Sequence, residues 1–153
     1  MIRGYVVCEG QTEETFIRDV IAPILSYQKI DLRALLISTS KGNKGGALSY
    51  ARVKRFILNL IKQENNTFIT TFFDLYALDN DFPNFLESKK QTDVYKKVSF
   101  LEQAFKDDII KENTSFASRF YPIFSLMNLK AYYLLILPNS LKLKPLGQQQ
   151  PII

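Results

Sequence analysis

The sequence predicts an α/β domain with a mainly parallel sheet flanked by helices, and three stretches carry that reading. The run Tyr5-Val6-Val7-Cys8 is apolar on both sides of Val6, as in a strand buried on both faces. It stops on an acid, Glu9; Gly10 then turns the chain, and an amphipathic helical pattern opens at Thr12. Residues 67–73 (Thr-Phe-Ile-Thr-Thr-Phe-Phe) are all good strand formers and stop on a second acid, Asp74. Between the two runs lies a strong amphipathic helix, so strands alternate with helices.

In chain order, residues 2–8 are the first strand. Residues 12–28 read as a helix with Thr12 as its N-cap, Glu14 near the positive end of the dipole, and Phe16, Val20, Ile24 and Tyr27 on one stripe. Pro23 kinks it or ends it early. Residues 30–38 form the second strand, centred on Ala34-Leu35-Leu36-Ile37. Residues 47–64 form the next helix, with Val53, Phe56, Ile57, Leu60 and Ile61 as its apolar stripe; its basic residues lie on other faces and read as solvated. Asn65-Asn66 breaks it before the third strand. Residues 79–92 are a polar loop anchored by Phe82, Phe85 and Leu86. Residues 93–111 are a covering helix with Val94, Val98, Leu101 and Phe105 inward, and residues 116–126 are a fourth strand interrupted by Pro122.

The chemistry is bounded by what is missing. At 153 residues, 46% apolar, the chain supports one soluble globular domain. Its one cysteine, Cys8, excludes a disulfide framework and a cysteine zinc site and suits the cytoplasm; inside a strand it reads as a small apolar residue. The absence of histidine removes histidine triads and histidine metal ligands, so a metal site must use oxygen donors, which favours magnesium, manganese or calcium. No signal peptide is visible, and the apolar run at 132–137 is far too short to span a membrane as a helix. Residues 1–112 hold sixteen bases and all fifteen acids, a net +1; residues 113–153 add four bases, which makes up the total of +5. The body is near neutral, so the basic balance argues little for nucleic-acid binding.

Two strands side by side that end on Glu9 and Asp74 place both acids in one crevice at the carboxyl edge of the sheet, where open α/β sheets hold their ligands. Glu13 faces the same crevice. Carboxylates meeting there repel unless a divalent cation or a proton sits between them, although acids after a strand also serve as caps and solvated turns. The segment Ser38-Thr39-Ser40-Lys41-Gly42-Asn43-Lys44-Gly45-Gly46 has three glycines and two lysines. It is either a flexible connection or a loop whose amides meet phosphate; it is not a Walker A loop.

Three motifs in order carry a family resemblance: Cys8-Glu9-Gly10-Gln11-Thr12-Glu13-Glu14-Thr15-Phe16, the Ser38 to Gly46 segment, and Phe73-Asp74-Leu75-Tyr76-Ala77-Leu78 followed by Asp81-Phe82-Pro83. Over about the first 125 residues the chain resembles the family called domain of unknown function 4276. That family looks like a branch of the Toprim superfamily, the metal-binding fold of primases, topoisomerases and overcoming-lysogeny-defect nucleases. The resemblance implies a Toprim-like sheet and magnesium- or manganese-dependent cleavage of nucleic-acid phosphodiesters. In that scheme Glu9 is metal ligand or general acid/base, Asp74 holds the metal, and Glu13 ligates it or orders its water. Gly10, Gln11, Thr12, Lys41, Lys44 and Tyr76 then meet substrate. An ATPase partner and a role in defence against mobile DNA are further implications. Toprim sites carry Asp-x-Asp, whereas Asp74-Leu75-Tyr76 lacks the second acid, with Asp79 and Asp81 as possible substitutes.

The tail, residues 127–153, contains no acid. Met127-Asn128-Leu129-Lys130 admits codons that in another frame read His-Glu-Phe-Glu, a motif associated with the family. The expectation is therefore a domain over 1–126 and an atypical, out-of-frame tail that does not pack as an evolved element. A truncated, non-catalytic module that binds a partner is the rival reading, and phosphate-ester chemistry on a nucleotide is a third.

Overall fold

In the computed structural model, residues 1–37 and 48–126 are described. β1 (Ile2–Cys8) lies near the middle of a sheet ordered β2-β1-β3-β4, flanked by β2 (Ile30–Leu36) and β3 (Thr67–Asp74). The short strands β4 (Phe120–Tyr121) and β5 (Phe124–Ser125) both pair with β3, and every pairing among the described strands is parallel. The expected fourth strand is thus split in two at Pro122, which has no N–H to donate to the ladder. Residues 114–116, the last of which was expected in that strand, form a 3-10 turn instead, opened by the Asn113 side chain accepting from the Ser115 N–H.

Helices cover the two faces separately. On one face α3 (Tyr50–Gln63) and α5 (Val94–Ile110) bury Val53, Ile57 and Ile61, and Val98, Leu101, Phe105 and Ile109, against Val7, Ile69, Phe73 and Phe120. On the other, Phe16 and Ile17 pack on Val6, Cys8 and Phe72. Of the stripe expected for this helical segment, Phe16 and Val20 pack inward, but its second half, Ile24 and Tyr27, does not. α1 (Gln11–Phe16) runs into a π-helical turn (Ile17–Ile21) and then α2 (Ala22–Ser26), with Pro23 in the first turn of α2. The wider turn accommodates the missing proline N–H and shifts the inward face. Ile17 and Ile21 turn inward, while Ile24 and Tyr27 are exposed. Thr12 is not the cap: the helix starts one residue earlier, with extended Gly10 at the N-cap and no side-chain cap hydrogen bond.

Three smaller corrections concern the other elements. β2 ends at Leu36, although the Ile37 N–H still bonds the Cys8 carbonyl. α3 begins at Tyr50, whose N–H donates to Asp81 Oδ2 at 2.8 Å, so a loop acid from far along the chain satisfies that helix terminus. The loop after β3 contains a short helix, α4 (Phe85–Ser88); Phe82 is buried and Phe85 packs on the core, but Leu86 is exposed.

Helices α3 and α5 are also joined by polar groups. The Tyr50 hydroxyl donates to Asp108 at 2.6 Å, and Lys54 Nζ lies 2.9 Å from both Asp108 and Glu112. Burial alone pushes the Asp108 carboxyl up, but the hydrogen bonds from Tyr50 and Lys54 outweigh it and hold the group below its usual range. A depressed native value stabilises the fold above the unfolded-state value, about 3.9, and that contribution disappears as pH falls through the lower native value. Urea titrations between pH 5 and pH 2.5 are expected to show a smaller acid loss of stability in Asp108→Asn than in the wild type. An equal or steeper loss in the variant would show that the Asp108 contacts do not govern acid stability.

Candidate functional site

The connections of the sheet determine where a ligand fits. From β1 the chain crosses one face through α1 and α2 to reach β2; from β2 it crosses the other face through α3 to reach β3, on the far side of β1. The winding therefore reverses between β1 and β3, and the crevice outside the carboxyl ends of two such strands is the recurrent ligand site of open α/β sheets. Here those ends carry Glu9 and Asp74. The register pairs Cys8 with Phe72, so Glu9 follows one residue after its strand's last pair and Asp74 two. The two strands stand next to each other, which sets Glu9 just beyond, and Asp74 at, neighbouring strand ends.

Glu13 approaches from the first turn of α1. Its Oε2 lies 2.8 Å from where a Cβ on Gly10 would be, so the carboxylate folds back over the Gly10 backbone and occupies the space that the missing side chain leaves. Cys8 registers the local field. Its thiol is pushed up to about 12, first by burial and then by the negative charges of Glu13 and Glu14. This makes Cys8 inert at neutral pH and places both acids close to the end of β1. Glu14 is itself paired with Arg18 at 2.7 Å, whereas the Glu13 carboxylate lies against Gly10.

Asp74 is held from its own strand end. One carboxylate oxygen accepts the Tyr76 N–H at 2.9 Å, closing a 3-10 turn over Leu75–Ala77. The Tyr76 ring is largely exposed at the same edge. Gln11, exposed, and Thr12, half-buried, form the first turn of α1 beside Gly10. Lys41 and Lys44 lie outside the described residues. The two loop acids weighed as substitutes for a second aspartate both have structural partners: Asp79 accepts the Asn80 N–H at 2.6 Å, and Asp81 caps α3. Among the described residues, no three acidic or thiol side chains are grouped so that together they would hold a metal ion.

One acid near this edge escaped the sequence reading. Glu102 of α5 accepts the Phe124 N–H at 2.9 Å, and Phe124 pairs with Phe73, the residue before Asp74. Burial pushes the Glu102 carboxyl above its usual range, against the opposing effect of that hydrogen bond. Its signal was available in the sequence: positions 98, 102, 105 and 109 form one helical stripe, and a glutamate stands in it among Val98, Phe105 and Ile109.

No curated protein and no solved structure matches this chain. A family model described as a domain of unknown function, DUF4276, matches residues 8–148, taking in Glu9, Asp74 and most of the run that follows Leu126. With more than nine-tenths of its length matched, the chain belongs to the DUF4276 family.

Proposed function

We propose that this domain is a Toprim-like, magnesium- or manganese-dependent nuclease that hydrolyses nucleic-acid phosphodiesters in the cytoplasm, working beside an ATPase partner in defence against mobile DNA. The observation that carries the reading is the reversal of winding between β1 and β3, with Glu9 and Asp74 at the two strand ends. The donor set suits such a cation: a chain without histidine offers carboxylate oxygens, and magnesium is commonly held by one or two carboxylates with waters and substrate phosphates completing its shell. Glu9 and Asp74 would hold it. When bound, a divalent cation polarises the phosphoryl group and supplies an activated water. Glu13 would accept a proton from that water or orient it, and Glu9 is the alternative general acid/base. Gly10, Gln11, Thr12 and Tyr76 would meet the phosphate backbone there, as would Lys41 and Lys44, which lie outside the described residues. Such contacts position the strand without reading its sequence.

Gly10→Ala tests the Glu13 role. The new Cβ displaces a flexible carboxylate and leaves the extended backbone of Gly10 acceptable to alanine, so stability should hardly change. Magnesium affinity measured by calorimetry is expected to fall roughly 10-fold, as for loss of a group that orients a metal shell. Unchanged affinity would remove Glu13 from the site.

A second reading is a non-catalytic, truncated Toprim-like module that binds a partner. It is favoured by the structural engagement of Asp79 and Asp81, which leaves Asp74 without a second aspartate. A cleavage assay on plasmid and oligonucleotides separates the two, with magnesium or with chelator, alone and with a neighbouring ATPase. Magnesium-dependent products support the nuclease; intact substrate in every arm supports the binding module.

A further inference from the structure

β2 is an edge strand: β1 is its neighbour in the sheet, and among the described residues no strand pairs with its outer side. The ladder decides which of its groups face outward. The Lys29 carbonyl accepts the Ile2 N–H, and the Ile37 N–H donates to the Cys8 carbonyl, so the odd-numbered residues here bond to β1. In a parallel ladder the N–H and C=O of one residue point to the same side, so those of Ile30, Leu32, Ala34 and Leu36 point away from the sheet. Side chains alternate as well. Leu32 and Ala34 pack with Val6, Phe16 and Ile17 on the α1 face, while Asp31 and Arg33 stand on the opposite face, paired at 2.9 Å, with Arg33 exposed. α2 lies against β2 yet buries none of its own residues. Ile24 within it and Tyr27 at its end are 57% and 91% exposed. An open strand edge with apolar surface beside it is a template for another strand.

We propose that β2 pairs antiparallel with β2 of a second copy of this chain, giving a two-fold dimer with one continuous sheet. The strand is complementary to itself in one register. A two-fold axis perpendicular to the sheet sets two β2 strands antiparallel, with their outward N–H and C=O groups bonding each other. With the axis at Leu32, Leu32 meets its own copy, Ile30 meets Ala34, and Asp31 meets Arg33 on both sides of the axis. Other positions lose that match. With the axis at Asp31, Asp31 opposes Asp31; at Arg33, Arg33 opposes Arg33; at Ala34, Arg33 opposes Leu35. In the matched register Asp31 and Arg33 form non-hydrogen-bonded pairs, the kind whose side chains approach closest. Both copies turn the same face to the same side, so the two α2 helices flank the axis, and Ile24 and Tyr27 add apolar contact to the strand pairing. The carboxyl ends of the two sheets point in opposite directions, so each copy keeps its own candidate site at its own edge.

The test uses the full chain and is independent of any nuclease activity. Wild type, Asp31→Arg, Arg33→Asp and an equimolar mixture of the two variants are compared by sedimentation velocity at one micromolar-range concentration, with circular dichroism to verify the fold. Wild type should sediment as a dimer. Each variant alone sets like charges opposite each other on both sides of the axis, which should weaken dimerisation at least about 10-fold. The mixture should recover it as a heterodimer, because one chain then carries both bases and the other both acids. The double swap within one chain, Asp31→Arg with Arg33→Asp, should also dimerise. Wild type that sediments as a monomer, single variants that dimerise as wild type does, or a mixture or double swap that stays monomeric overturns the proposal.

Discussion

Glu9→Gln is expected to abolish detectable magnesium binding and to slow cleavage at least about 100-fold, the scale of losing a positioned acid/base or ligand group. The amide keeps the size of the side chain and removes one negative charge from a crevice edge that also bears Asp74 and Glu13. Like charges held together destabilise the folded state when no cation lies between them, so the variant should melt at or slightly above the wild-type temperature in chelator. The pairing of lost binding with retained stability separates a functional carboxylate from a structural one. Calorimetry and a thermal melt on the same sample check it; unchanged magnesium binding would exclude Glu9 as a ligand.

Phe105→Ala is expected to be the most damaging core substitution. Phe105 is fully buried and packs edge-on against Tyr50, Phe82 and Phe120, with centroids 5.5, 5.8 and 5.3 Å away, and stacks on Phe124 at 6.0 Å. Its ring therefore joins the start of α3, the loop after β3, and both short strands. Truncating such a ring costs about 3–5 kcal/mol through lost burial and the cavity left behind. For a chain of this size that is a fall of roughly 10 °C in Tm. Tyr95→Ala, on an exposed part of the same helix, is the control and should change stability by less than about 0.5 kcal/mol. Urea unfolding measures both; a loss below about 1 kcal/mol for Phe105→Ala would mean that the aromatic cluster collapses onto the gap.

The sheet was legible because its signals are local. β1 has the bounds expected of it, and β3 runs one residue further, onto Asp74 itself, since a buried strand that ends on an acid and a turn residue announces both its burial and its end. α5 was nearly as clear: Asp93 caps it through the Lys96 N–H at 2.9 Å, and Val98, Leu101 and Phe105 are buried as their spacing requires, while Val94, expected with them, is exposed in the first turn. The parallel adjacency of β1 and β3, on which the candidate site depends, followed from the same pattern. What escaped has non-local causes. The π turn after Phe16 changes the helical period by one residue, and no periodic template can express that shift. Asp81 looked like a spare ligand because its partner, the Tyr50 N–H, is remote in sequence. Glu102 was absorbed into the covering face of a helix, although an acid in an apolar stripe needs a buried donor, and the Phe124 N–H is that donor. The expectations for Lys41, Lys44 and the tail lie outside the described residues. The family match nevertheless runs well past Pro122, the point from which an out-of-frame tail was expected.

One cation shared between the ends of β1 and β3 is the central claim, and manganese binding followed by electron paramagnetic resonance tests it most directly. Wild type, Glu9→Gln, Asp74→Asn and the double variant are titrated side by side. A shared ion gives one site per chain in the wild type, and each single variant binds as weakly as the double, because removing either ligand dismantles the same site. Independent, additive losses from the two substitutions, or binding that survives in the double variant, would contradict a cation held jointly by Glu9 and Asp74.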